Sequence, residues 1–340
     1  MKYSQLGHVM LDVQGTSLSA QEREVIAHPQ VGGVILFARN YESVQQLIDL
    51  NRQIRACKPN ILIAVDHEGG RVQRFKEGFT RIPSMYKLAQ AAPTLLGPTA
   101  QLMALELMAV GIDFTFAPVL DRFNPESGVI GDRAFSESPA NIIEYAGQFI
   151  EGLNAEGMAA VGKHFPGHGG VDGDTHLEGA VDSRDFQDIE RTDLQPFKQL
   201  AAKLQGIMPA HVIFPCVSEN PVGFSRQWLE GILRQQLHFT GAILSDDLSM
   251  VAAHIAGDPL ERGLAAINAG CSMALMCNNP DGAIALIEGL EKQGLVANET
   301  RLHPLSAHKR RAQHGFNWHA LHKTATWLQT HRAINNVNDM

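Results

Sequence analysis

The chain has 340 residues, 44% of them hydrophobic and only 19% charged, enough to bury the core of one large domain or two ordinary ones, which excludes disorder as the main state. Its 28 basic and 36 acidic residues leave a net charge of −8, which excludes broad attraction to nucleic acid or an anionic membrane as the main purpose and leaves a small molecule as the expected partner. Fifteen histidines against four cysteines direct attention to imidazole rather than thiol chemistry.

The N-terminus lacks the apolar stretch of a secretory signal, and no run of about eighteen apolar residues follows, so a soluble cytoplasmic protein, monomeric by default, is expected. Taken in chain order, a first short apolar run begins near His8 (HVMLDVQG). Ser19 with Glu22 then forms a capping box for a helix that must stop by Pro29. A second run starts near Gly32, and Ser43 with Gln46 repeats the box. The third run, from Ile61, is followed by a long interval, Ile82 to Gly111, holding a proline-bearing loop and a helix. Runs from Ile112 and Ala159 flank a helix announced by Ser138-Pro139, with Ile142, Ile143, Ala146, Phe149, Ile150 and Leu153 at helical spacing. Runs from Gly206, Gly241 and Cys271 complete the series, with a helix opened by Asp258-Pro259 and Glu261 and ended by Gly270, and another after Asn279. From about Ala297 the chain is expected to form terminal helices on the outside, with Asn335 to Met340 frayed. Cys57, Cys216, Cys271 and Cys277 form no C-x-x-C pair and read as small core residues.

Short continuous apolar runs are what parallel strands buried on both faces look like. Eight strand-then-helix units therefore predict an α/β fold: a single (β/α)₈ TIM-type barrel over residues 1–340 with extra C-terminal helices at about 297–340. The competing architecture, an open doubly wound sheet, is disfavoured because the turn after the first run, Leu11 to Gly15, lacks a G-x-G-x-x-G phosphate loop.

Barrel enzymes carry their chemistry at the C-terminal ends of the strands. The polar residues there are Asp12, Arg39, Asp66 with Glu68, Asp121, Lys163 with His164, His211, Asp246 with Asp247, and Asn278. The richest stretch is KHFPGHGGVDGDTH from Lys163. It reads as a solvated glycine loop, as a metal site built from His164, His168, Asp172, Asp174 and His176, or as an acid/base centre. In the third reading Asp174 and His176, two apart, point the same way if extended, and the carboxylate supports the protonated imidazole.

KHFPGHG followed by Asp174-Thr175-His176 resembles the β-N-acetylhexosaminidases of glycoside hydrolase family 3, of the bacterial cell-wall-recycling type. The resemblance extends to VGGVILFARN from Val31, AVDHEGGRVQRF from Ala64, FAPVLD from Phe116, IGDRAF from Ile130, IMPAHVIF from Ile207 and SDDLSM from Ser245. It implies Asp246 as nucleophile, with Asp247 the competing neighbour, His176 as general acid/base, and Asp174 orienting it. It also implies that Asp66, Arg74, Arg133, Lys163 and His164 bind a terminal GlcNAc, with His211 a further candidate for the pocket. For Arg133 the purely structural alternative is a salt bridge to Asp121 or Asp132. The implied substrate is GlcNAc β-1,4-linked to 1,6-anhydro-N-acetylmuramic acid in muropeptides, hydrolysed with retention and without cofactor or metal. A metal-dependent hydrolase and a sugar-binding barrel without catalysis are the alternatives.

Overall fold

The computed structural model describes residues 6–168, 180–307 and 317–340. Each of the eight apolar runs contains a strand: β1 (Val9–Asp12), β2 (Val31–Leu36), β3 (Leu62–Val65), β4 (Phe114–Thr115), β5 (Ala159–Phe165), β6 (Gly206–Pro209), β7 (Ala242–Ile243) and β8 (Ala274–Met276). They form one sheet in the order β7-β6-β5-β4-β3-β2-β1-β8, and every neighbouring pair is parallel. The outermost strands, β7 and β8, approach each other. Leu244 bridges Met273 in parallel, Ser272 N–H donates to Ile243 O at 2.7 Å, and Ser245 N–H donates to Met273 O at 3.0 Å.

All six residues of β2 are buried, as expected of a strand covered on both faces. A side chain at Gly32 would collide with the Gly7 carbonyl, so that approach requires glycine. Helices link successive strands, including Ala20–Ala27, Val44–Cys57, Leu96–Ala109, Pro139–Ala155 and Pro259–Ala269, and Pro280–Lys292 follows β8. Between β6 and β7 the helix Gln227–Gln236 is of the π type. Both the Ser19/Glu22 and Asp258/Glu261 capping boxes form. Ser43 accepts from Gln46 N–H, but the Gln46 side chain turns to Glu42 N–H instead, leaving half a box. Ser138 occupies its N-cap position without a side-chain bond.

Two expectations are corrected here. Cys271 and Cys277 are buried, but Cys216 is exposed, on the turn between strands Val212–Phe214 and Ser218–Pro221. The C-terminus is not frayed at Asn335: helix Ala325–Asn338 buries Ile334 and Val337, Asn338 Nδ2 donates to Arg81 O at 2.7 Å, and Lys87 Nζ donates to Asn338 O at 3.1 Å. Among the described residues no helix is long and apolar enough to cross a membrane.

The terminal helix docks on Leu96–Ala109 through a buried carboxyl. Glu106, 1% exposed, accepts from Trp327 Nε1 at 2.9 Å, Thr80 Oγ1 at 2.7 Å and Thr80 N–H at 3.1 Å. Burial raises its pKa to about 6 from 4.5, against the opposing effect of those hydrogen bonds. The folded chain thus holds this proton to higher pH than the unfolded chain. This group's contribution to stability is complete below about pH 4.5 and is lost as pH rises through about 6, a change of about 2 kcal/mol. Glu106→Gln, which cannot ionise, is expected to lack that decline. Parallel stability–pH curves for the two proteins in chemical denaturation would refute the assignment.

Candidate active site

The C-terminal ends of the strands surround a cavity of about 400 Å³, within the roughly 300–1,000 Å³ common for small-ligand sites. Its polar wall comprises Asp66, Glu68, Arg74, Arg133, Lys163, His164, His168, Asp246, Asp247 and Asn278, with Arg71 also contributing; Phe37, Phe116, Met208 and Met250 add apolar surface. Of the residues expected to act, Asp66, Arg74, Arg133, Lys163, His164 and Asp246 are therefore brought together. Asp174 and His176, with Asp172, lie outside the described residues. Asp12 and Arg39 are outside the cavity lining: they pair with each other, and both bond Asn278. His211 is 1% exposed and lies behind the wall, which corrects the expectation that it lines the pocket.

Glu68 organises the basic groups. Beyond β3 the chain turns through a hairpin, His67–Gly69 against Val72–Gln73, in which alternate side chains face opposite sides. Asp66 and Glu68 face the cavity, while His67 packs against Phe75 and Phe79. Burial and the Arg74 cation lower the His67 pKa to about 3, so it stays neutral. Arg133 grips Glu68 with two bonds of 2.8 Å, from Nε and from a terminal nitrogen. Lys163 Nζ lies 2.5 Å from Glu68 Oε1 and 2.8 Å from Asp66 Oδ1. Arg74 reaches the other oxygen of Asp66 at 3.4 Å. The salt-bridge partner of Arg133 is thus Glu68, not Asp121 or Asp132. Burial opposes the Glu68 charge, but the Arg133 and Lys163 cations hold its carboxyl far below the usual range. Glu68 had no assigned role in the sequence, yet its two-residue spacing from Asp66 is the same signal that singled out Asp174 and His176.

Asp121 performs the corresponding task for the histidines. Its carboxylate receives His164 Nδ1 at 2.6 Å and the backbone N–H of His168 at 2.7 Å. Burial resists the Asp121 charge, and the His164 imidazole outweighs it, so the carboxyl stays ionised and can only accept. His164 therefore carries hydrogen on Nδ1, which leaves Nε2 for a ligand.

The neighbouring aspartates differ. Asp247 Oδ1 accepts from Ser249 N–H (2.9 Å), Ser249 Oγ (2.7 Å) and Cys277 N–H (3.0 Å), and burial pushes its pKa up. Asp246 accepts only Asp247 N–H, at 2.8 Å, among the hydrogen bonds between described residues. Burial works against its charge as well, but the nearby His211 and His164 imidazoles lead the groups that hold its carboxyl below the ordinary value. One aspartate has an oxygen engaged by three hydrogen bonds, and the other is an ionised carboxylate on the cavity wall.

An ionised carboxylate beside a cluster of acceptors and cations suited to sugar hydroxyls, on parallel strand ends, is the equipment of a glycoside hydrolase. The family model described as the glycosyl hydrolase family 3 N-terminal domain matches residues 1–304. The chain is 48% identical over 335 residues to a beta-hexosaminidase of Tolumonas auensis, covering 97% of each, and 49% identical over 288 residues to one of Pseudomonas aeruginosa PAO1, covering 84% of this chain and 87% of that one. It superposes on the NagZ structure from Neisseria gonorrhoeae in complex with N-trifluoroacetyl-D-glucosamine with a TM-score of 0.88 and 37% identity, covering 98% of this chain and 99% of that one. The chain belongs to glycoside hydrolase family 3.

Proposed function

We propose a retaining, exo-acting double displacement for this enzyme, a β-N-acetylhexosaminidase of family 3 that removes terminal β-linked GlcNAc. An Asp246 oxygen attacks the anomeric carbon, the glycosidic C–O bond breaks, and His176 delivers its proton to the departing oxygen. A water oxygen then attacks the same carbon, His176 takes the water proton, and the ester bond breaks to return the Asp246 carboxylate with net retention. Asp174 orients and supports His176. Asp66, Arg74, Arg133, Lys163 and His164 hold the sugar's hydroxyls and acetamido group. The observation that carries this reading is the division of labour at the end of β7, where Asp247 Oδ1 is taken up by three hydrogen bonds and burial raises its pKa, while Asp246 on the same cavity wall is held ionised.

The reading extends to the natural substrate and to the architecture. A bound N-acylglucosamine in the N. gonorrhoeae relative supports a GlcNAc-sized site, and the cell-wall-recycling resemblance supports 1,6-anhydro-N-acetylmuramic acid muropeptides as substrate, met in the cytoplasm by a monomer. The bridge between β7 and β8 supports closure of the sheet into a single (β/α)₈ barrel over the whole chain.

Turnover of an activated aryl β-N-acetylglucosaminide, with retained product configuration and unchanged rate after chelation, is the expected result. No turnover would leave a sugar-binding domain. Loss of activity on chelation would favour the metal-dependent alternative, for which the N. gonorrhoeae protein in complex with zinc ion is the relevant neighbour. In the same assay His176→Ala is expected to lose about 10²–10⁴-fold on substrates with poor leaving groups and far less on activated aryl glycosides, since only the former need the proton. Equal losses on both would remove His176 from the acid role.

A further inference from the structure

We propose that His211 is a positioning residue for the nucleophile: through one hydrogen bond it holds the backbone from which Asp246 presents its carboxylate. This rests on the reading of Asp246 as nucleophile.

His211 immediately precedes strand Val212–Phe214, just beyond β6, and is 1% exposed. Its Nε2 lies 3.1 Å from the carbonyl oxygen of Asp247. A carbonyl only accepts, so Nε2 carries the hydrogen. The other ring nitrogen, Nδ1, is buried with no hydrogen-bond partner among the described residues. Leaving a buried polar atom unpaired costs free energy that an apolar side chain of similar volume would not incur. A ring packed against Phe224, with centroids 5.6 Å apart, has no need of nitrogen for packing. What the imidazole adds over a hydrophobic residue is the bond to Asp247, beside its favourable field at the Asp246 carboxylate.

That bond acts on the residue that aims the nucleophile. Asp247 is held by its side chain through Ser249 and Cys277 N–H and by its carbonyl through His211 and through Met250 N–H at 3.1 Å. Its own N–H then points at Asp246 Oδ1, 2.8 Å away. With these anchors in place the Asp246 carboxylate has a defined direction before substrate arrives; without His211 the Asp247 carbonyl keeps only Met250 N–H, from its own turn, and loses its tie to the β6 side, so the peptide can tilt and carry the nucleophile off line. A displacement of about 1 Å is sufficient to cost about 10² in rate. His211 is outside the cavity lining, so its effect falls on the chemical step and not on sugar binding. The same residue leads into a small sheet in which Val212 and Ile213 pair with Ala180 and Val181, and Asp182 N–H donates to Ile213 O at 2.9 Å. The strand end bearing the nucleophile is thereby tied to the chain that follows residue 179.

The test compares His211→Leu with His211→Gln, whose Nε2 can take the place of the imidazole Nε2. Pre-steady-state release of the aryl group from an activated aryl β-N-acetylglucosaminide gives the glycosylation rate and the binding constant separately. For His211→Leu the glycosylation rate is expected to fall about 10²-fold with binding within about twofold of wild type, and His211→Gln is expected to recover most of the rate. A wild-type glycosylation rate in His211→Leu, a loss appearing only in binding, or no recovery in His211→Gln would each overturn the proposal. Mass mapping of the trapped glycosyl ester in the wild-type enzyme tests the underlying reading independently, because an ester on a residue other than Asp246 removes the nucleophile assignment whatever the His211 variants do.

Discussion

Asp246→Ala is expected to lower hydrolysis of an activated aryl β-N-acetylglucosaminide by about 10⁴-fold or more while leaving the fold and sugar binding intact. The size follows from the proposed two-step route, in which without the carboxylate no ester forms and the remaining groups can only bind the sugar and stabilise charge. The fold should survive because, among the described residues, Asp246 accepts one hydrogen bond, from Asp247 N–H. Asp247→Ala should show the reverse pattern. It strips the acceptor of three hydrogen bonds and leaves Cys277 N–H and Ser249 N–H unpaired, while Ser249 Oγ keeps the Cys277 carbonyl 2.6 Å away, at about 1–3 kcal/mol for each unpaired group that stays buried, so its main loss is in stability. Kinetics and melting of the two variants, measured side by side, decide the matter. Near-normal turnover in Asp246→Ala, with catalysis abolished in a well-folded Asp247→Ala, would exchange the two roles.

Most of the framework is legible in the sequence, because burial on both faces leaves a local mark. The runs at Gly32, Ile61 and Ala159 need no distant information to read as parallel strands, and Ser19 and Asp258 form helix starts that depend on residues three positions away. What is not legible depends on partners remote in the chain. Polarity alone makes Asn335 to Met340 look loose, but Asn338 is anchored to Arg81 and Lys87 across 257 and 251 positions. Cys216 looks like a core residue because its neighbours are apolar, whereas the turn that exposes it depends on strand pairing. The strand-end rule locates the candidate site, and family resemblance supplies roles within it. Neither reveals that Glu68 and Asp121 hold the basic groups and histidines in place, because those pairings span 65, 95 and 43 positions.

Glu68→Ala is the substitution expected to injure both stability and catalysis. Glu68 is buried, and its carboxylate is shared by Arg133 and Lys163, themselves 11% and 3% exposed. Removing it leaves Lys163 paired with Asp66, whose other oxygen is already engaged by Arg74, and leaves Arg133 bonded to the Val129 carbonyl without an ion-pair partner among the described residues. Breaking a buried ionic network in this way costs about 3–5 kcal/mol, and the melting temperature is expected to fall by roughly 5–10 °C. The catalytic loss has the same origin, since Lys163 and Arg133 are proposed to meet the sugar and without Glu68 neither has a fixed direction. KM should rise together with a fall in kcat. Glu68→Gln separates shape from charge: its amide oxygen can still accept, but the compensating negative charge is gone. The acid side of the stability profile gives a further check. Because the folded pKa of Glu68 lies far below its unfolded value of 4.5, the wild type has this stabilisation in full above about pH 4.5 and loses it only as pH falls toward the depressed folded pKa. Glu68→Gln should therefore be less stable than wild type at neutral pH, with the gap narrowing below about pH 4. A variant as stable and active as wild type at pH 7 would show that Glu68 is dispensable and that Asp66 alone holds the cations.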